Sequence, residues 1–232
     1  MTDHSFEQRY RRIEGLINGG QLREASMEAA NFATATDQAR ALFLLNLIVN
    51  ITNWGVGAGS DRLVDWAHKC SDATPEILGD MKRDQAIGLI RFRGHGGRDA
   101  QADLDAASLL LSQVQERHQN DPNRMACLQG VRGRLAFAYS SYDAAIAHHR
   151  EADLAWANLG QQQNLVWRYL NLVQWLRATV ALQGHSSTLA RQLAMRIQNE
   201  CPQGFPPHTR PLQLLMTPCG LRLYRYAETH RR

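Results

Sequence analysis

Apolar residues recur along the chain at i, i+3, i+4 and i+7, whereas β-branched clusters with a period of two do not. The pattern predicts an almost wholly α-helical protein. Helices are expected at about residues 5–18, 21–34, 37–53, 61–70, 76–93, 99–119, 123–139, 142–159, 163–183, 187–199 and 218–229. Between them stand short breakers of turn chemistry: Gly19-Gly20, Gly55 to Ser60, Ser71 to Thr74 ahead of Pro75, Gly94 to Gly97, Asn120 to Pro122, Ser140-Ser141, Gly160 and Gly184 to Ser186. Such short connections pair successive helices as antiparallel hairpins. The tight turns fall near residues 20, 58, 96, 141 and 185, at intervals of about 38 to 45 residues, the range of helical repeat arrays.

One hairpin carries a more specific pattern. In the segment from Gly133 to Ala152, a small residue (Gly133) lies in the first helix, an aromatic (Tyr142) follows the turn, and alanines seven apart (Ala145, Ala152) lie in the second. This resembles the tetratricopeptide repeat, whose small positions let neighbouring helices approach closely. The segment from Gly20 through Ala25 resembles the same second-helix pattern, and that from His185 through Ala190 does so more faintly. The hairpins around Ser60 and Gly97 depart from it, and the period exceeds the 34 residues usual for the family. The resemblance implies an all-α fold of stacked antiparallel hairpins, a tetratricopeptide-like right-handed α-solenoid with a C-terminal capping helix. Degenerate arrays of this kind are similar to those of bacterial regulators and peptide sensors. By that likeness the chain is expected to be a non-enzymatic module that binds a protein or peptide segment along its concave face.

The expected organisation is an array of about five hairpins over residues 1–199, a proline-rich linker over 200–217 and a basic capping helix over 218–232. Four prolines between Cys201 and Pro211 stop any helix there, while Thr217-Pro218 has N-cap and first-turn chemistry for a last one. The charge follows the same division. Residues 1–209 hold 21 basic and 21 acidic side chains, and from Arg210 onward five arginines face Glu228 alone, so the net +4 is a feature of the C-terminus. A balanced body argues against nucleic acid as the main partner. The four cysteines are scattered without a C-x-x-C, the N-terminus lacks the order of a signal peptide, and Ala41 to Ile51, the longest apolar run, is interrupted by Asn46 and Asn50. A cytoplasmic protein with reduced thiols, no membrane span and no cofactor is expected.

Candidate partner-binding residues follow from helical projection. In the helix over 163–183, Leu165, Val166, Tyr169, Leu170, Leu172, Val173, Leu176 and Val180 form an apolar face, and Trp167, Asn171, Gln174, Trp175 and Ala178 gather opposite. Amides pair with a peptide backbone as both donor and acceptor, and indoles give flat apolar contact, so the second stripe suits peptide capture or packing against the next hairpin. Asn46, Asn50 and Asn53 lie on one side of the helix over 37–53, where they would line a groove or face solvent. In tetratricopeptide-like sensors inner-helix asparagines commonly hold the ligand backbone, an arrangement that Asn46 and Asn50 resemble without matching it residue by residue. Arg134 points inward on the repeat pattern, where it would hold a carboxylate or cover apolar surface with its stem.

Two glycine-rich runs supply the rival class, an all-α enzyme or phosphate-binding protein. The first, Gly55 to Ser60 before a helix, has the look of a phosphate loop, but no strand precedes it and no lysine follows, which favours a hairpin turn capped by Ser60 or Asp61. The second, Arg91 to Arg98, is compact and basic, and a turn with helix-terminal arginines accounts for it. His148 and His149 with Glu151 and Asp153 make the nearest approach to a metal or acid–base cluster, short of a ligand set, and His149 stands where the repeat wants a packing residue.

Overall fold

The computed structural model describes residues 3–160 and 165–200, which form ten α-helices and one 3₁₀ turn and no strand. In chain order these are α1 (Asp3–Asn18), α2 (Leu22–Thr34), α3 (Ala39–Thr52), α4 (Ala58–Ala67), α5 (Pro75–Arg91), the 3₁₀ turn His95–Gly97, α6 (Ala100–His118), α7 (Pro122–Ala138), α8 (Tyr142–Leu159), α9 (Leu165–Gln183) and α10 (Thr188–Glu200). The protein is all-α, with boundaries close to those the hydrophobic periodicity predicts. The expected linker over 200–217 and capping helix over 218–232 lie outside the described residues. Among the described residues no helix is long and apolar enough to cross a membrane.

The chain divides into two compact units, the first ending at Arg117 and the second starting at His118. In the first, α3 packs on α1, α2, α4 and α5. Its N-terminus is capped from a distance: both Asp72 carboxylate oxygens accept backbone N–H bonds, from Ala39 and Arg40. Helix α5 starts on Thr74, whose hydroxyl accepts from the Ile77 N–H with Pro75 at the first position, and every residue from Arg83 to Ile90 is buried. A helix enclosed on all sides must put its polar groups inside, and α5 does so with Arg83, Asp84 and Gln85.

In the second unit α7, α8 and α9 pack mutually and α10 covers α9. The α7–α8 hairpin turns at Ser140, held at φ 61, and the rings of Phe137 and Tyr142 meet across it at 5.2 Å. Ala145 and Ala152 of α8 are fully buried. Gly133 is in tight contact with α8: a Cβ there would stand 2.7 to 2.8 Å from three atoms of the His149 ring. Helix α9 is buried along Leu170 to Leu176. A charged clamp joins α8, α9 and α10, with Asp153 accepting from Arg168 and Arg196, and Glu200 facing both arginines.

Candidate binding surface and the residues behind it

Asn46 and Asn50 are interior residues, and α3 presents no open amide wall. Asn46 donates through Nδ2 to the Met81 carbonyl at 3.1 Å and accepts at Oδ1 from the Ser60 hydroxyl at 2.6 Å. Asn50 donates through Nδ2 to the Asn46 carbonyl and to Ser60 Oγ, and its Oδ1, which has no partner, lies over Gly88. Helix α4 therefore begins at Ala58, and Ser60 turns inward to bridge the two amides in place of the expected cap. The physical reason is Gly57, whose φ of 89 and ψ of −121 let the chain enter the helix one turn early. Asn53, third in the line, ends α3 at a left-handed φ of 65.

The stripe predicted on α9 is enclosed as well. Asn171 donates from Nδ2 to the His149 carbonyl at 2.8 Å, and its Oδ1 lies 2.7 Å from His149 Nδ1. Because Nδ2 faces a carbonyl, Oδ1 must be the acceptor, which puts the proton of neutral His149 on Nδ1 and leaves Nε2 a buried acceptor without a donor. Burial dominates the ionisation of His149, with Arg134 nearby adding to the effect, and its pKa falls to about 4. Arg134 and Gln174 are buried, Trp167 is half-buried, and Trp175 packs among Leu172, Leu176, Ala190 and Leu193. Trp175 therefore belongs to the α9–α10 core, the packing role the sequence also allowed. The histidine cluster does not assemble: His148 contacts Gln129, His149 contacts Asn171, and Asp153 belongs to the arginine clamp. Among the described residues no three His, Cys, Asp or Glu side chains are placed to hold a metal ion.

What the structure does bring together are the two glycine-rich loops. Asn53 Nδ2 meets His95 Nδ1 at 2.8 Å, joining the end of α3 to the 3₁₀ turn. Arg98 donates to both Asp103 oxygens through Nε at 3.1 Å, to the Phe92 carbonyl at 2.9 Å and to the Val56 carbonyl at 3.4 Å. Asp103 also accepts from the Gly94 N–H at 2.9 Å, so the second loop is closed on itself and fastened to the first. Trp54 projects from this edge with 55% of its surface exposed, and Trp66 on α4 is exposed to 53%. Helical projection passed over both because neither shares a helix face with other candidates. Their signal in the sequence was a bulky aromatic beside a glycine run and another among charged neighbours on α4.

Arg91 closes α5 at the same edge. Its guanidinium lies over the Phe92 ring, 4.8 Å from the centroid, and Phe92 in turn meets the His95 ring edge-on at 6.4 Å. The side chain is half-buried and its Nη1 has no acceptor. No family model, curated protein or solved structure matches the chain.

Proposed function

We propose that the protein is a tetratricopeptide-like helical-repeat module that binds a peptide or protein segment and performs no covalent chemistry of its own, in the manner of a cytoplasmic bacterial regulator or adaptor. The observation that carries this reading is Trp54, a large exposed aromatic on a loop pinned from both sides by Asn53–His95 and Arg98–Val56. An aromatic held on a pinned edge loses little freedom on binding, which is the character of an interface anchor. The buried amides act as a frame within each unit: they join α3 to α4 and α5 in the first and α8 to α9 in the second, which holds the helices of each in register. Close glycine contacts at Gly88, Gly130 and Gly133 supply the short interhelical distances that stacked hairpins need.

The test is capture of partners by the full chain, comparing wild type with Trp54→Ala and Trp54→Phe after checking helical circular dichroism. Loss of the partner with alanine and recovery with phenylalanine is the expected result. Equal recovery by all three proteins refutes the assignment. A second reading, phosphate binding, is favoured by the joining of the two glycine loops. It predicts that inorganic phosphate shifts the amide resonances of Gly57 to Gly59 and that Gly57→Val abolishes the shift.

A further inference from the structure

We propose that the Arg91 edge of the paired loops recognises an acidic side chain of the bound peptide, so that the partner segment is an anionic one; this rests on the peptide-binding reading above. A partly desolvated guanidinium is ordinarily matched by a carboxylate, because removing a charge from water without a partner is costly. Arg91 has none. Its buried Nη1 meets no acceptor, and burial is the sole influence on its ionisation, with no acidic group beside it. The arginines nearby are differently placed. Arg98 is committed to Asp103 and two carbonyls, and Arg93 is exposed with Nη1 on the Ile90 carbonyl. Both Arg91 and Arg93 therefore stand without a carboxylate on an edge that also carries Phe92, His95 and Trp54.

The wider charge selects among anions. Residues 1–117 contain 13 Lys and Arg against 16 Asp and Glu, a net negative charge that disfavours polyanions. A nucleic acid or polyphosphate needs several cations in a row, whereas one or two carboxylates flanked by apolar side chains need what this edge offers: a guanidinium fork and flat aromatic surface. An acidic peptide with neighbouring hydrophobic residues is the ligand class that fits.

The experiment is selection of a random peptide library displayed on phage against the full chain, wild type and Arg91→Met, followed by affinity measurement on the selected peptides made synthetically. Methionine keeps the aliphatic stem, and Arg91→Lys serves as a second variant that retains the charge without the fork. Peptides from wild type should be enriched in Asp and Glu. Converting those residues to Asn and Gln should weaken binding to wild type by about tenfold and leave binding to Arg91→Met almost unchanged, the signature of a direct pair. Selected peptides that need Trp54 but show no acidic enrichment, or that lose equally on both proteins, overturn the inference and leave the binding reading standing. Absence of any selected peptide overturns both. Arg91-dependent binding of inorganic tripolyphosphate with rejection of carboxylate peptides overturns it in favour of a phosphate site.

Discussion

The contact between Gly133 and His149 makes one substitution sharply informative. Gly133→Ala would place a Cβ 2.7 Å from His149 Cε1 and 2.8 Å from both ring nitrogens. Reaching an ordinary separation requires the ring to retreat by roughly 0.7 Å, an overpacking strain of about 1 to 3 kcal/mol. The ring is not free to retreat. Its Nδ1–H is held by Asn171 at 2.7 Å, and Asn171 is itself fixed to the His149 carbonyl, so the shift weakens a buried hydrogen bond by about 1 kcal/mol more. Alanine offsets about 1 kcal/mol through its better helix propensity. The net expectation is a loss of about 1 to 3 kcal/mol, or a fall in Tm of about 3 to 10 °C for a chain of this size. Thermal melting followed by circular dichroism at 222 nm measures it, with Gly15→Ala as the control. Gly15 is exposed on α1 with nothing within 4 Å of its Cβ position, so the same change should raise stability by up to about 1 kcal/mol. In a His149→Ala background the clash disappears and Gly133→Ala should become neutral or stabilising. Melting of Gly133→Ala at or above wild type would refute the close packing of α7 on α8.

Two further outcomes follow from the polar interior of the first unit. Burial pushes the Asp84 carboxyl up to about 6, helped by Asp80 and opposed by Arg83, and its Oδ2 has no partner. A pKa raised above the unfolded value of 3.8 favours the protonated form in the fold, so this contribution to stability is complete below that value and is lost as pH rises through about 6. Asp84→Asn keeps an acceptor for Arg83, and it should melt higher than wild type at pH 7.5, by about 1 to 3 kcal/mol, with the gain shrinking toward pH 4; a gain independent of pH would refute the assignment. Ser60→Ala removes the donor to Asn46 and one acceptor of Asn50, and should cost about 1 to 3 kcal/mol in urea unfolding, against near neutrality if Ser60 were a surface cap.

Helix existence was legible from the sequence because apolar periodicity and Gly, Pro and Ser breakers act locally, and α5 and α7 begin at the Thr74-Pro75 and Asp121-Pro122 signals. The polar residues were harder. Asn46, Asn50 and Asn171 read as a binding stripe because projection of a single helix separates apolar from polar positions and assumes that the polar side faces water or a ligand. Helices enclosed on all sides break that assumption, and the partners that satisfy these amides, Ser60, the Met81 carbonyl and His149, come from other helices. Likewise, the sequence showed two glycine loops but not their junction, since Asn53 and His95 lie 42 residues apart.

The position of Arg98 also bears on the timing of local opening. One guanidinium reaches Asp103, the Phe92 carbonyl and the Val56 carbonyl, so neither loop can lift from the unit without releasing contacts that hold the other. The two segments, 53–57 and 92–98, should therefore open as one cooperative unit. Their amide protons would exchange with solvent at matched free energies, and Arg98→Ala would lower both together while leaving α1 and α2 unaffected. An edge that opens only as a whole spends most of its time in a single conformation, which keeps Trp54 and Arg91 at a fixed spacing for whatever they meet.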